Sequence, residues 1–222
     1  MDDADERAVH RPEGDTHEPE PQHQGRGRLL LLGLAALLVG VLGTLWVVHA
    51  RDAAPTDFGA DAGFARDMQT HHAQAVEMAF LVRDRSQDDE VRTVAYDIIT
   101  SQQQQAGQMY GWLVQWGLDQ TGSRPPMAWL GGEHAAAHTR PDGSMPGMAT
   151  PEQLAELKAA TGVEAERIFL RLMIAHHTGG VAMAQAAVAE ARTPEVRTLA
   201  GAIAAAQTSE IALLQQMLAA RS

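Results

Sequence analysis

The sequence predicts an all-α protein: one transmembrane helix, then a four-helix bundle built from two copies of a helical hairpin. Three observations carry this. Leu29 to Val48 is a run of 20 residues without a charge, the length a helix needs to cross the hydrocarbon core. Beyond it, apolar residues recur at steps of three and four, the period of a helix with one buried face. Finally, Phe64–Leu113 matches Phe169–Leu218, 105 positions on, at 16 of 50 places without a gap, which marks an internal duplication. One hairpin cannot bury its own apolar stripe, whereas two joined by a long connection close into a bundle with pseudo-twofold symmetry.

The 222 residues carry 17 basic and 28 acidic side chains, a net charge of −11. Residues 1–28 hold 4 of the basic and 8 of the acidic groups, so the tail and the remainder are both acidic. That balance attracts cations and makes nucleic acid an unsuitable partner. There is no cysteine, which excludes disulfides, thiolate metal sites and thiol catalysis. Any soft-metal chemistry falls to histidine and methionine.

Residues 1–28 are rich in Asp, Glu, His, Pro and Gly and read as a disordered acidic cytoplasmic tail. His10, His17 and His23 are scattered in it and make no metal site. Residues 29–50 are the anchor. Arg26 and Arg28 precede it, while Arg51 is offset at once by Asp52, so the positive flank places the N-terminus in the cytoplasm and the bundle outside. Trp46 sits where an interfacial aromatic belongs. Val48-His49-Ala50 also has small residues where a signal peptidase cuts, so secretion after cleavage near Ala50 is the alternative to a single-pass anchor. Residues 51–60 are a linker in which Thr56 or Asp57 is expected to cap the next helix.

The bundle occupies 61–220. Its first hairpin, 61–118, opens with a helix from about Asp61 to Ser86 whose seam runs Phe64, Met68, His71, Ala75, Met78. A second helix, from about Asp88 to Gly117, starts on the acidic Asp88-Asp89-Glu90. Its seam, Val91, Ala95, Ile98, Gln102, Gln105, Met109, Trp112, puts two amides at core positions. Residues 119–162 are a Gly- and Pro-rich connection, longer than is common in a compact domain, with a short helix capped by Thr150 and begun by Pro151. The second hairpin, 163–220, has helices from Val163 to Ala191 and from Pro194 to Ala220, the latter with Thr193 as cap.

The repeat concentrates chemistry in one place. Each copy sets a His-His pair between two methionines: Met68, His71, His72 and Met78, then Met173, His176, His177 and Met183. Thioether and imidazole on one helix face suit a soft or borderline metal such as copper or silver. Adjacent helical residues lie about 100° apart, so the members of a pair cannot face one point squarely. His72 and His177 each follow a methionine by four residues and share a face with it. The partner helices offer Gln102 and Gln105, then Gln207 and Glu210, as acceptors for the second ring N–H of a metal-bound histidine. Asp61 and its counterpart Glu166 are further supporting candidates. His134, His138, Met145 and Met148, on an exposed-looking connection, form a weaker set. The competing reading is structural. Methionine is common core filler, as expected for Met109, Met127 and Met217, and His71 and His176 would hydrogen-bond to Gln102/Gln105 and Gln207/Glu210 to fix the packing. A di-iron oxidase is disfavoured, because the bundle has no Glu-x-x-His.

The doublet Met-x-x-His-His-x-x-x-Val-x-Met-Ala, with Glu90-Val91-Arg92-Thr93 and Glu195-Val196-Arg197-Thr198 beyond it, resembles the domain of unknown function 305 family. The segment Met145-Pro146-Gly147-Met148-Ala149-Thr150-Pro151-Glu152-Gln153-Leu154 is similar to that family's connection, and the resemblance spans about residues 57–220. It implies a ferritin-like four-helix bundle, exported or membrane-anchored, that binds copper or a related metal. The family's Gln-x-x-Glu motif is kept by Gln207 and Glu210, whereas the first copy has Gln105, which makes the two copies unequal. The expected function is extracytoplasmic, non-catalytic binding of a soft or borderline metal ion, copper first. The alternative is a structural or protein-interaction bundle whose histidines form a core network.

Overall fold

The computed structural model describes residues 23–51, 54–131, 140 and 142–221. The chain divides into two compact units, Met1–Ala53 and Ala54–Ser222. In the first, helix α1 spans His23–Arg51. Its Gly27–Val47 stretch is long and apolar enough to cross a membrane and none of it is buried within the protein. The hydroxyl of Thr44 bonds back to the Gly40 carbonyl, which satisfies it inside the helix, as an apolar surrounding requires.

The second unit contains α2 (Ala60–Arg85), α3 (Asp89–Gln115), α4 (Pro151–Ala159), α5 (Gly162–Glu190) and α6 (Pro194–Ala219), with a 3-10 turn at Ala128–Leu130 and no strand among the described residues. Asp88 caps α3 by accepting from the N–H of Glu90 and Val91. Thr193 caps α6, and Thr150 with Gln153 forms a full capping box on α4. The cap expected of Thr56 or Asp57 is not made. Gly59 stands at that position, and Asp57 instead pairs with Arg66 at 2.5 Å.

Helix α2 packs on α3, α5 packs on α6, and the hairpins meet through α2 and α5. Two apolar clusters show that α2 and α5 run antiparallel. One joins Phe64 and Met68 of early α2 to Met183 and Ala187 of late α5. The other joins Met78 and Val82 of late α2 to Phe169 and Met173 of early α5. Phe64 and Phe169, equivalent in the repeat, are each fully buried, one per cluster. Phe169→Ala is expected to cost about 3–5 kcal/mol, read as a lower urea midpoint; an unchanged midpoint would show that the cluster does not hold the hairpins together.

The repeat also crosses over itself. Asp61 accepts from the backbone and hydroxyl of Thr193, both at 2.8 Å, and from the N–H of Arg192 at 3.1 Å. Glu166 accepts from the Ser86 hydroxyl at 2.6 Å and from Arg221 Nε at 2.7 Å. Each acid therefore reaches the interhelical junction of the other hairpin. The expectation that Asp61 and Glu166 support the histidines fails on distance. They lie ten residues before His71 and His176, about 15 Å along a helix.

Candidate functional site

Midway along α2 and α5, between the two apolar clusters, lie His71, His72, His176 and His177, none of them accessible to solvent. Both pairs come into one layer because the antiparallel crossing sets the middle of one repeat on the middle of the other. The His71 and His176 rings lie face to face across the crossing, with centroids 3.7 Å apart and planes 33° apart.

Every ring uses Nε2 in the same way. His71 Nε2 lies 3.0 Å from the Pro146 carbonyl and His176 Nε2 lies 2.9 Å from the His71 carbonyl. His72 Nε2 lies 2.8 Å from Gln105 Oε1, and His177 Nε2 lies 2.6 Å from Glu210 Oε2. Carbonyl and carboxylate oxygens only accept, so each Nε2 carries the hydrogen and donates it. In a neutral imidazole that leaves Nδ1 as a bare lone pair. All four Nδ1 atoms are buried and no protein group partners them. For His71, His72 and His176 neutrality follows from the surroundings. Burial pushes His71 down to about 4 and His72 to about 3, and drives His176 well below the usual imidazole range. Neighbouring histidines push each of the three the same way.

The expected polar network is made with different members. Gln105 and Glu210 do meet histidines, but they serve His72 and His177, the members of each pair turned towards the partner helix. His71 and His176 take backbone carbonyls instead. Gln102 and Gln207 are buried, and neither their oxygens nor their nitrogens have a protein partner. The copies differ in charge, since Glu210 faces His177 where the first copy has only the amide Gln105.

Met68, Met78, Met173 and Met183 are all fully buried. Met68 and Met183 lie in the cluster on one side of the histidine layer, and Met78 and Met173 in the cluster on the other. Met145 is also buried, in the cluster with Met68 and Met183, and Met148 packs against it. The expectation of an exposed Met145–Met148 loop is therefore corrected. His134 and His138 lie outside the described residues. Among the described residues, no three His, Asp or Glu side chains gather as a metal-binding group. A metal held here would need amide or thioether donors beside imidazole.

What the sequence did not disclose is the strap that covers this layer. Residues 145–149 lie along α5. The Pro146 carbonyl takes the His71 hydrogen bond, and Gln74 brackets Ala149, donating to its carbonyl at 3.0 Å and accepting from its N–H at 2.7 Å. Gly147, at φ +77, lies against the backbone of Ala175 and His176, and Gly179 lies against Pro146. In the repeat, Gly179 and Gly180 stand where the first copy has Gln74 and Ala75. That adjacent pair of glycines in the second copy is the sequence signal for a close approach at this point.

The model of the domain of unknown function (DUF305) matches residues 61–218. No curated protein matches the chain. Among solved structures, a DUF305 protein from Streptomyces coelicolor is 44% identical, covers 75% of this chain and 96% of its own, and has a TM-score of 0.69. A DUF305 fragment from Deinococcus radiodurans is 36% identical over 72% of this chain and 95% of its own, with a TM-score of 0.59. CopM in the Cu(I)-bound form is 25% identical over 71% of this chain and 94% of its own, with a TM-score of 0.52.

Proposed function

The chain belongs to the DUF305 family, and from that premise we propose that its bundle binds a soft or borderline metal ion, copper first, as cargo and without catalysis. The observation that carries this is the set of four buried Nδ1 atoms without protein partners. A buried polar atom left unpaired costs about 1–3 kcal/mol. A network kept only to satisfy the core would pair both nitrogens of each ring; this one pairs Nε2 and leaves Nδ1. Neutral imidazoles with thioethers in the flanking clusters suit copper or silver. The similar CopM has been seen with Cu(I) and with Ag.

In this reading the free Nδ1 atoms of His71, His72, His176 and His177 are the imidazole donors, no three of them sharing one ion, and Met68, Met78, Met173 and Met183 are the neighbouring sulfur donors. The acceptors on Nε2, namely Pro146, Gln105, the His71 carbonyl and Glu210, fix ring orientation and tautomer and raise ligand basicity. Glu210 adds the negative charge that makes the second copy the stronger half. With α1 as a single-pass anchor the bundle would work outside the cytoplasm; with α1 as a cleaved signal it would be secreted.

Titrating the purified chain with Ag(I) or Cu(I) tests this. Stoichiometric uptake is expected, and at 100 times Kd a stabilisation of about 2.7 kcal/mol, seen as a rise in Tm of roughly 5–10 °C. The combined variant H71Q/H72Q/H176Q/H177Q should lose both effects. Uptake that survives it would move the site to Met145, Met148 and the His134/His138 segment. No uptake at micromolar metal would leave the structural reading standing.

A further inference from the structure

The two amides in the histidine layer are left over from every contact described so far. Gln102 and Gln207 occupy equivalent places in the repeat, 105 residues apart. They are 2% and 3% exposed, and both polar atoms of each lack a protein partner. Neither amide is needed to orient a ring, because all four Nε2 atoms already have acceptors. Leucine or methionine would fill such a position without leaving two polar atoms unpaired.

Their placement is specific. Gly180 on α5 has no Cβ, and an added one would overlap Gln207 Oε1 and come within 3.2 Å of His71 Cε1. The amide oxygen of Gln207 and the imidazole of His71 therefore border the same point, from opposite hairpins. Cε1 is bonded to both ring nitrogens, of which Nε2 is committed to Pro146 and Nδ1 has no protein partner. Among the described residues no trio of His, Asp or Glu could hold a metal in this layer, and an amide oxygen on the same side as the His71 ring is the donor type that is missing.

Resting on the metal-binding reading above, we propose that Gln102 and Gln207 are metal ligands through their Oε1 atoms and that they give the histidine layer its capacity for Cu(II). Imidazole serves both oxidation states of copper. Amide oxygen is the harder donor and favours the divalent ion, whereas thioether favours Cu(I) and Ag(I). With oxygens in the histidine layer and sulfurs in the clusters on either side, the bundle offers each oxidation state its own donor set.

The test compares the full chain, solubilised in detergent, with Gln102→Leu/Gln207→Leu, each titrated separately with Cu(II) and Ag(I). The variant should bind Cu(II) at least tenfold more weakly and change the copper hyperfine splitting in the EPR spectrum. Ag(I) affinity should stay within about twofold. Without metal the variant should melt no lower than the wild type, because it loses unpaired buried atoms; a structural pair of amides would give a lower Tm. Should the leucines prevent folding, Gln102→Met/Gln207→Met is the second variant, expected to gain Ag(I) affinity while losing Cu(II). Unchanged Cu(II) affinity and spectrum, or equal loss of both ions, overturns the assignment. A wild type that binds Ag(I) but not Cu(II) overturns this proposal alone, and one that binds neither overturns the metal-binding reading with it.

Discussion

Lowering the pH from 6.5 towards 4 should unfold the metal-free bundle. His71 and His72 titrate at about 4 and about 3 in the folded chain, and His176 well below its usual range, each because burial opposes its charged form. Unfolded, all three would take up protons near 6.5. Between these values the unfolded state binds more protons, so stability rises with pH and is lost as pH falls. Each such group contributes about 1.4 kcal/mol per pH unit, so three together approach 4 kcal/mol per unit. Against a total of roughly 5–15 kcal/mol, the unfolding midpoint is expected between about pH 5 and pH 3. Asp67 works the other way. Burial raises its carboxyl against the bonds from Met127 and Trp129, so its protonation favours the fold, but only at the acid end. Urea midpoints at pH 7.5, 6.0 and 5.0 measure the slope, and His72→Gln should flatten it by about a third. Equal midpoints at pH 7.5 and 5.0 would mean that these imidazoles are not held neutral.

Gly179→Ala should detach the strap. The new Cβ would overlap the Pro146 carbonyl and press on the Gly147 backbone, neither of which is a flexible side chain. Relief requires the segment to lift from α5, breaking the hydrogen bond from His71 to Pro146. A loss of about 1–3 kcal/mol follows, with the metal-free Tm falling by several degrees. Gly111→Ala is the control. It lies in the interior of α3 with nothing within 4 Å of its would-be Cβ, so helix propensity alone should raise stability by about 0.5–1 kcal/mol. Equal melting of the two variants would show that strap contact is not what requires a glycine at 179.

The resolved contacts explain why some residues were legible and others not. The seam Phe64, Met68, His71, Ala75, Met78 is wholly buried, because a 3.6-residue period maps directly onto one face of a helix. Asp88, Thr150 and Thr193 cap their helices as their positions imply, since a cap is local chemistry. The roles of Asp61 and Glu166 are not legible in the sequence because their partners, Thr193 and Ser86, are 132 and 80 residues away. Helical spacing says nothing about such distances. The strap is hidden for the same reason: Gln74 and Ala149 are 75 residues apart, and Met145 reads as a loop residue until α5 lies beneath it.

By itself the sequence determined the helices, their duplication and the single apolar segment, because hydrophobic period and self-similarity are properties of order along the chain. It also determined that the available metal donors are imidazole, thioether, amide and carboxylate, because there is no cysteine. Tertiary structure decided the rest. Only the antiparallel crossing of α2 and α5 brings two distant His-His pairs into one layer, and only the contacts there commit each Nε2 to an acceptor. The physical reason is that a free lone pair is what remains after all neighbours are known, and those neighbours come from both hairpins and the strap.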